Sequence, residues 1–343
     1  MSRVDLVSSL DELQEDWIRL AYESGNLFST WEWASTWWRR YGAGHGPLVA
    51  ACREGHDTVA LLPLYLWSRR AARVARFIGH GPADQLGPIC ARGARATAAE
   101  ALRQTVEQAD VDLVLMELLS GRESWQELLG QPPLLRESSP TISLGAGWDA
   151  YLAGRSANLR QQIGRRERQL DRRHAARFRL ATAPERLQED LTLLYALHRA
   201  RWGARSAFTR FEDFHREFAA IALERGWLRL WFLELDERPA AAWYGFRFAG
   251  VESYYQAGRD PAFREDSVGF VLLAHSIRQA ADDGVVEYRL LRGAEPFKLR
   301  FADADPGVET FAAARGVTGR AARAAAAVGL RSATVRSALR RLG

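Results

Sequence analysis

Cysteine, lysine, methionine and long hydrophobic runs are all scarce in this 343-residue chain, and each scarcity excludes something. Cys52 and Cys90 stand in apolar surroundings, with no second cysteine or histidine at metal-ligand spacing. A disulfide framework and a zinc site are therefore unsupported, no metal is expected, and two buried thiols are. No apolar run approaches the roughly 20 residues of a membrane-spanning helix, so 111–119 and 227–235 read as buried strands. The N-terminal stretch carries Asp5, Asp11 and Glu12, where an export signal needs a basic start and an uninterrupted apolar core. The expectation is a cytoplasmic protein with no transmembrane segment.

Lysine is the most telling scarcity. The chain has 47 basic and 42 acidic residues, a net charge of +5, and every basic residue is arginine except Lys298. So small an excess suits an anionic partner without specifying one. Arginine was acceptable at every other basic position, and a compact ammonium is not interchangeable with a planar guanidinium in a tight site. Lys298 thus marks a candidate site, with chance survival of one lysine as the plain alternative.

What is present is a globular balance, 47% hydrophobic and 26% charged, over a length that suits two domains. Trp31, Ala34, Trp38 and Tyr41 recur at helical spacing before Gly42 and predict a core helix. Stretches 48–53 and 58–67, joined at Glu54-Gly-His-Asp, predict a hairpin. A strand at 76–79, a helix over 94–108, a strand over 111–119 and a short helix over 124–129 follow. Proline and serine in 131–142 mark a crossing, which puts the boundary near residue 140.

A long helix is then predicted over 148–174, rich in arginine but laced with Glu167 and Asp171. Phosphate binding and a merely solvated face are both open to it. The first half's order then returns: a helical region around 194–202, strands over 227–235, 240–248 and 252–258, a helix over 268–281 and a strand over 286–291. Matched order predicts a duplicated α/β fold of mixed α+β sheets. Its domains are 1–140 and 141–312, each a mostly antiparallel sheet flanked by helices. An Arg/Ala-rich helical tail over 313–343, with sparse apolar positions at Val328, Leu330, Val335 and Leu339, is expected to be mobile or loosely docked, with contact to anionic lipid or a partner as the other reading.

Two segments carry candidate chemistry. In Arg264-Glu-Asp-Ser267-Val268-Gly269-Phe270, small residues let the backbone approach a ligand, and the first-turn N–H groups of the following helix suit a pyrophosphate, with Arg264 able to add a bidentate contact. An ordinary helix start capped by Asp266 or Ser267 explains the same residues. The second segment is Leu291-Arg-Gly-Ala-Glu-Pro-Phe-Lys-Leu-Arg-Phe.

Arg264-x-x-Ser267-x-Gly269 resembles a relaxed form of the Arg/Gln-x-x-Gly-x-Gly/Ala loop with which GNAT acyltransferases cradle the coenzyme A pyrophosphate. The second segment resembles the Leu-Arg-Gly-x-Glu-Pro-Tyr-Lys signature of tandem-GNAT proteins like the cellulose-biosynthesis protein CelD, relatives of the Fem peptidyltransferases. Trp31-Glu-Trp-Ala, Trp37-Trp38, Leu62-Pro-Leu-Tyr-Leu, Asn158-Leu-Arg and His198-x-x-Arg201-Trp202 extend the resemblance over roughly 28–303, its most specific part being 292–298. Arg289 stands where that family usually has aspartate, Ala294 where it has a polar residue, and Ser267 where the loop has its first glycine.

The resemblance implies two tandem GNAT-like domains and an acyl-CoA-dependent N- or O-acyltransferase using acetyl-CoA or another acyl-CoA, acting on a small-molecule or saccharide acceptor such as an amino sugar or polysaccharide precursor. No DNA partner is implied. Arg264, Ser267, Val268, Gly269 and Phe270 would hold the donor. Phe297-Lys298 would line the acceptor or transition-state region, Lys298 as an electrostatic stabiliser or a ligand of an acceptor phosphate and Arg292 orienting Glu295 or a substrate anion. Glu295, His198 and Tyr255 are the candidate bases, and Tyr254, Phe297, Trp202 and Arg201 the acceptor wall. Two other readings stand: a Fem-like transferase using aminoacyl-tRNA, and a non-catalytic binding protein.

Overall fold

The structure is a computed structural model that describes residues 3–7, 9–69, 71–203 and 206–331. Two compact units divide the chain, one formed by residues up to Ser138 and from Pro306 on, the other by Ser139–Asp305.

In the first unit, β1 (Arg3–Val7) precedes α1 (Gln14–Ser24) and α2 (Trp31–Tyr41). Thr30 starts α2, its Oγ1 accepting the Trp33 N–H at 3.3 Å and satisfying one orphan donor of the first turn. The helix buries Trp31, Trp33, Ala34 and Trp37. Its inner face is thus rotated from the expected one, with Trp38 and Tyr41 only half-covered, because the Trp37 Nε1–H is drawn inward to the His80 carbonyl at 2.9 Å. β2 (Gly46–Glu54) and β3 (Asp57–Arg69) make the expected hairpin, and β4 (Arg73–Phe77) joins β3 antiparallel. After β5 (Ile89–Cys90) and α3 (Arg95–Gln108), β6 (Leu113–Ser120) lies parallel to β4. α4 (Trp125–Leu129) and β7 (Leu135–Glu137) follow. Both cysteines are buried and free.

The second unit holds β8 (Thr141–Ser143), α5 (Gly147–Ala153), α6 (Ala157–Arg173), β9 (Ala176–Leu180), α7 (Leu187–Trp202), α8 (Ala207–Arg210) and α9 (Glu212–Glu224). Next come β10 (Leu228–Leu235), β11 (Arg238–Phe248), β12 (Val251–Arg259), α10 (Val268–Asp282), β13 (Glu287–Arg289) and α11 (Pro296–Phe301). The single helix predicted over 148–174 is two. The Gly154 N–H closes α5 onto the Ala150 and Tyr151 carbonyls, and Ser156 Oγ opens α6 by accepting the Leu159 N–H at 3.2 Å.

The sheet order is β8-β13-β12-β11-β10-β9. One face is covered by α10, whose Val268, Val271, Leu272 and Ile277 pack with Trp243, Tyr254 and Tyr288. On the other lies an aromatic layer from the α7 to α9 region, where Tyr195 stacks on Phe208 at 4.7 Å and Phe218 meets Phe246 at 5.3 Å. Full burial of each such ring is worth on the order of 1.5–3 kcal/mol, so the sheet is a firm platform.

β14 (Val308–Ala314) then returns to the first unit, pairing with β6 and β7 and completing the order β1-β2-β3-β4-β6-β14-β7. The second domain was expected to run to 312; by packing, the second unit stops at Asp305. The described part of the expected helical tail, α12 (Gly316–Arg331), docks on the first unit. The Arg315 N–H bonds the Asp112 carbonyl at 2.8 Å, and Ala322 packs on the cluster of Val74, Leu113 and Ala312. Val335 and Leu339 lie outside the described residues.

The predicted duplication is visible in pairing. Each unit has a hairpin, a third antiparallel strand, a helix and a strand parallel to the third.

Candidate functional site

In the second unit the parallel strands touch only over Val251–Ser253 and Glu287–Arg289. β12 continues to Arg259 while β13 ends, so from Tyr254 onward the side of β12 that faced β13 has no strand upon it. A bulge falls here: Tyr244 opposes Gln256 and Gly245 opposes Tyr254, leaving Tyr255 as the extra residue. Neighbouring tyrosines face opposite layers, as successive strand residues do. Tyr254 joins the α10 side, whereas the Tyr255 hydroxyl bonds His215 Nε2 at 3.2 Å within the aromatic layer of Phe208 and Tyr244. The structure therefore puts Tyr255 in the layer of Phe208, which also meets His198 at 5.0 Å, and not on the Tyr254 side.

Around Tyr254 the candidates do converge. Its ring lies 6.1 Å from Phe297. The Arg201 charge acts on the Tyr254 hydroxyl, and the guanidinium lies 4.5 Å over Trp202 and 6.0 Å from the Phe297 centroid. Burial pushes the Tyr254 hydroxyl up to about 12, with Arg201 pulling it down and Glu295 raising it further. Half-exposed Trp202 donates Nε1–H to the Ala257 carbonyl at 3.3 Å. His198 shares that acceptor, with Nδ1 3.2 Å from it and Nε2 2.8 Å from Ser206 Oγ. Desolvation takes the imidazole down to about 4. It is a satisfied, neutral, buried histidine.

Lys298 sits on the first turns of α11, 5% exposed. Its Nζ donates to the Arg292 carbonyl at 2.5 Å and lies 3.2 Å from Glu295 Oε2. What Arg292 contributes here is its main-chain oxygen. The Glu295 carboxylate folds back over Gly293, whose φ of 122° favours glycine and where a Cβ would displace the carboxylate. Leu291 ahead of it takes φ 55°, a left-handed conformation that a bulky side chain adopts only when its surroundings impose it.

The loop before α10 is a short 3-10 segment, Pro261–Asp266, opened by Asp260 Oδ1 accepting the Ala262 N–H at 2.8 Å. Ser267 stands at φ 56°, left-handed, where the resembling pattern has glycine. Neither residue caps α10 through its side chain. The Asp266 carboxylate instead takes Arg173 at 3.1 Å and lies 3.5 Å from His174. The first helical bond runs from Phe270 N–H to the Ser267 carbonyl at 2.9 Å, so the Val268 and Gly269 N–H groups have no helical acceptor. A Cβ on Gly269 would meet nothing within 4 Å. Glycine in a helix costs roughly 0.5–1 kcal/mol relative to alanine, and no protein contact demands it here.

Arg259, at the end of β12, is held below its ordinary value by burial, then by the charges of Arg201 and Arg264. Three guanidiniums thus share this side of the helix start. Arg259 escaped the sequence reading because a chain whose basic residues are almost all arginine gives no single arginine contrast. Among the described residues no group of three or more His, Cys, Asp or Glu side chains is placed to hold a metal ion, and no described helix is long and apolar enough to cross a membrane.

The acetyltransferase (GNAT) domain family matches residues 157–299, which spans α6 to α11 and so every residue of this site. Among solved structures, FemX is 10% identical over 91% of this chain and 95% of its own, with a TM-score of 0.61. L-PGS from Bacillus licheniformis is 12% identical over 94% and 96%, with a TM-score of 0.56. A protein of unknown function from Bacteroides thetaiotaomicron is 10% identical over 92% and 100%, with a TM-score of 0.54. No curated protein matches the sequence. At these identities the likeness is one of fold: two mixed sheets flanked by helices, consistent with a tandem GNAT-like arrangement.

Proposed function

We propose that the second unit is an acyl-CoA-dependent N- or O-acyltransferase whose acceptor is an amino sugar or related saccharide precursor, as the CelD-like resemblance suggests. The observation that carries it is the start of α10. Two unpaired N–H groups, open room at Gly269 and three arginines stand where the parallel strands part, which suits a pyrophosphate.

Val268, Gly269, Ser267 and Arg264 would hold the donor's phosphates, with Phe270 fixing the first turn against the core. When bound, acyl-CoA supplies an acyl group activated as a thioester. Lys298, buried and pinned by the Arg292 carbonyl and Glu295, offers a fixed positive charge for oxygen that becomes negative during transfer. Glu295 is the base this reading prefers. His198 has both nitrogens engaged, Tyr255 faces the other layer, and Tyr254 is too weakly acidic to be ionised at neutral pH. Trp202, Phe297 and Tyr254 present aromatic surface with Arg201 among them, which matches the mixed apolar and polar faces of a sugar.

Thermal shift of the full chain tests this. Acetyl-CoA at 100 times its Kd should stabilise the fold by about 2.7 kcal/mol, and Gly269→Glu should abolish the shift without lowering the unliganded melting temperature by more than a few degrees. Stabilisation by aminoacyl-tRNA alone would favour the Fem-like alternative, which the whole-chain likeness to FemX supports at the level of fold. A response to neither would favour a non-catalytic binding protein.

A further inference from the structure

A second basic group lies beside the first turn of α10. Arg166 of α6 lays its guanidinium 4.2 Å from the centroid of Phe270, the residue next to Gly269. Phe270 in turn packs 5.1 Å from Phe301 at the end of α11, and Arg300 precedes Phe301. Arg166 is half-buried, and its proton is held less firmly than usual by desolvation and by the charges of Arg300 and Arg165. Three cations from two elements therefore approach one another. Mutual repulsion of this kind persists in a fold only when something offsets it or when an anion is to be met.

No protein group offsets it. None of Arg165, Arg166 and Arg300 makes an ion pair among the described residues. The nearby acid on α6, Glu167, spends its carboxylate on Arg278 of α10 at 3.0 Å, and Asp266 is taken by Arg173 and His174. The cation–π contact fixes Arg166 in place before any ligand arrives, so little further ordering is needed. Because Phe270 follows Gly269 directly, this cluster borders the turn that carries the open N–H groups, and the charges acting on Arg166 are Arg300 and Arg165 whereas those acting on Arg259 are Arg201 and Arg264.

We infer that Arg165, Arg166 and Arg300 form a subsite for a phosphate ester additional to the group held at the start of α10, and that its occupant is the terminal phosphomonoester of a coenzyme A donor. The inference rests on the proposed acyl-CoA reading for the source of the phosphate, and on the geometry alone for the subsite. A backbone phosphate of RNA has the same chemistry, so the test separates the two sources.

Binding is measured by calorimetry on the full chain with three probes: coenzyme A, 3′-dephospho-coenzyme A and unacylated tRNA. Wild type should bind coenzyme A about tenfold more tightly than the dephospho form. In Arg165→Gln/Arg300→Gln, both exposed positions, the ratio should fall to near one while dephospho-coenzyme A binds as before. Arg300→Glu should invert it, and unchanged unliganded melting curves confirm that these variants fold. Weak binding of both coenzymes with tRNA binding that falls in the same variants would keep the subsite, assign its phosphate to RNA and sink the acyl-CoA reading. A ratio near one in wild type with tRNA indifferent to the substitutions, or binding of no probe, overturns the subsite. Dephospho-coenzyme A binding in either case reports on the acyl-CoA reading separately.

Discussion

After β4 a long connection folds back over its own strands, whereas after β12 a short loop runs directly to the next helix. Past β4 the Ile78 N–H bonds the Pro63 carbonyl at 2.7 Å and the Leu86 N–H bonds the Leu118 carbonyl at 3.0 Å. The His80 imidazole is buried with Nδ1 2.7 Å from the Tyr65 hydroxyl, and Ala83 and Leu86 are buried beside it. The stretch beyond the β4–β6 pairing is thus lined by the protein's own main chain. In the second unit the same connection is a short loop leading to an open helix start. Charge follows the same division: Arg76 on β4 is matched by Glu117 through two bonds of 2.8 Å, while Arg201, Arg259 and Arg264 make no ion pair among the described residues. A duplicated scaffold can close one copy with chain and leave the other open, and the proposed donor site falls in the open one.

The comparison breaks most visibly at Lys298. With Nζ buried and 2.5 Å from the Arg292 carbonyl, a guanidinium has no room, so Lys298→Arg should lower acyl transfer from acetyl-CoA to an amino-sugar panel by about a hundredfold. Normal turnover would mean that this lysine is a survivor of composition and no more.

Stability against pH sharpens the difference next. His198, at about 4 in the fold against about 6.5 unfolded, binds its proton more weakly when folded. Its contribution is complete above pH 6.5 and is lost as pH falls toward 4, by at most about 3 kcal/mol. Melting curves between pH 7 and 4 should show this slope, and His198→Gln should lessen it; an unchanged slope would place the sensitivity in His80, His215 or His275, which burial also holds low.

Smaller effects follow. Tyr65→Phe strips a buried partner from His80 and should destabilise the protein by about 1–3 kcal/mol while leaving acetyl-CoA affinity untouched, since it lies in the closed unit. Ser267→Gly relieves a left-handed serine and should stabilise by about 1 kcal/mol in denaturant titration without weakening the ligand. A loss of affinity there would show that the serine hydroxyl is itself a contact.

Much of this was legible before any coordinates. Alternating and helical periodicity exposed the hairpins, α10 and the repeated order, because half-buried strands and amphipathic helices write their period into the sequence. The break at Gly154-Arg155-Ser156 was hidden by continuous helical pattern on both sides, and β14 by distance, since strand pairing across the whole of the second unit leaves no local trace. In the site, Lys298, Glu295 and Phe297 were found by a motif, and Lys298 also by its rarity. Tyr255 was misplaced because its candidacy came from its sequence neighbours, whereas alternation along a strand sends it to the face opposite Tyr254; Arg259 and Arg300 were invisible among uniform arginines, and Arg166 stood out only as one of many in a helix open to phosphate binding.

The central claim is that the donor site lies in the second unit only. Calorimetric titration of acetyl-CoA into the full chain, compared with Gly269→Glu and with Ala96→Glu at the exposed first turn of α3, tests it directly. One site per chain, lost in Gly269→Glu and kept in Ala96→Glu, is the expected result. Undiminished binding in Gly269→Glu, or two sites per chain, would contradict it.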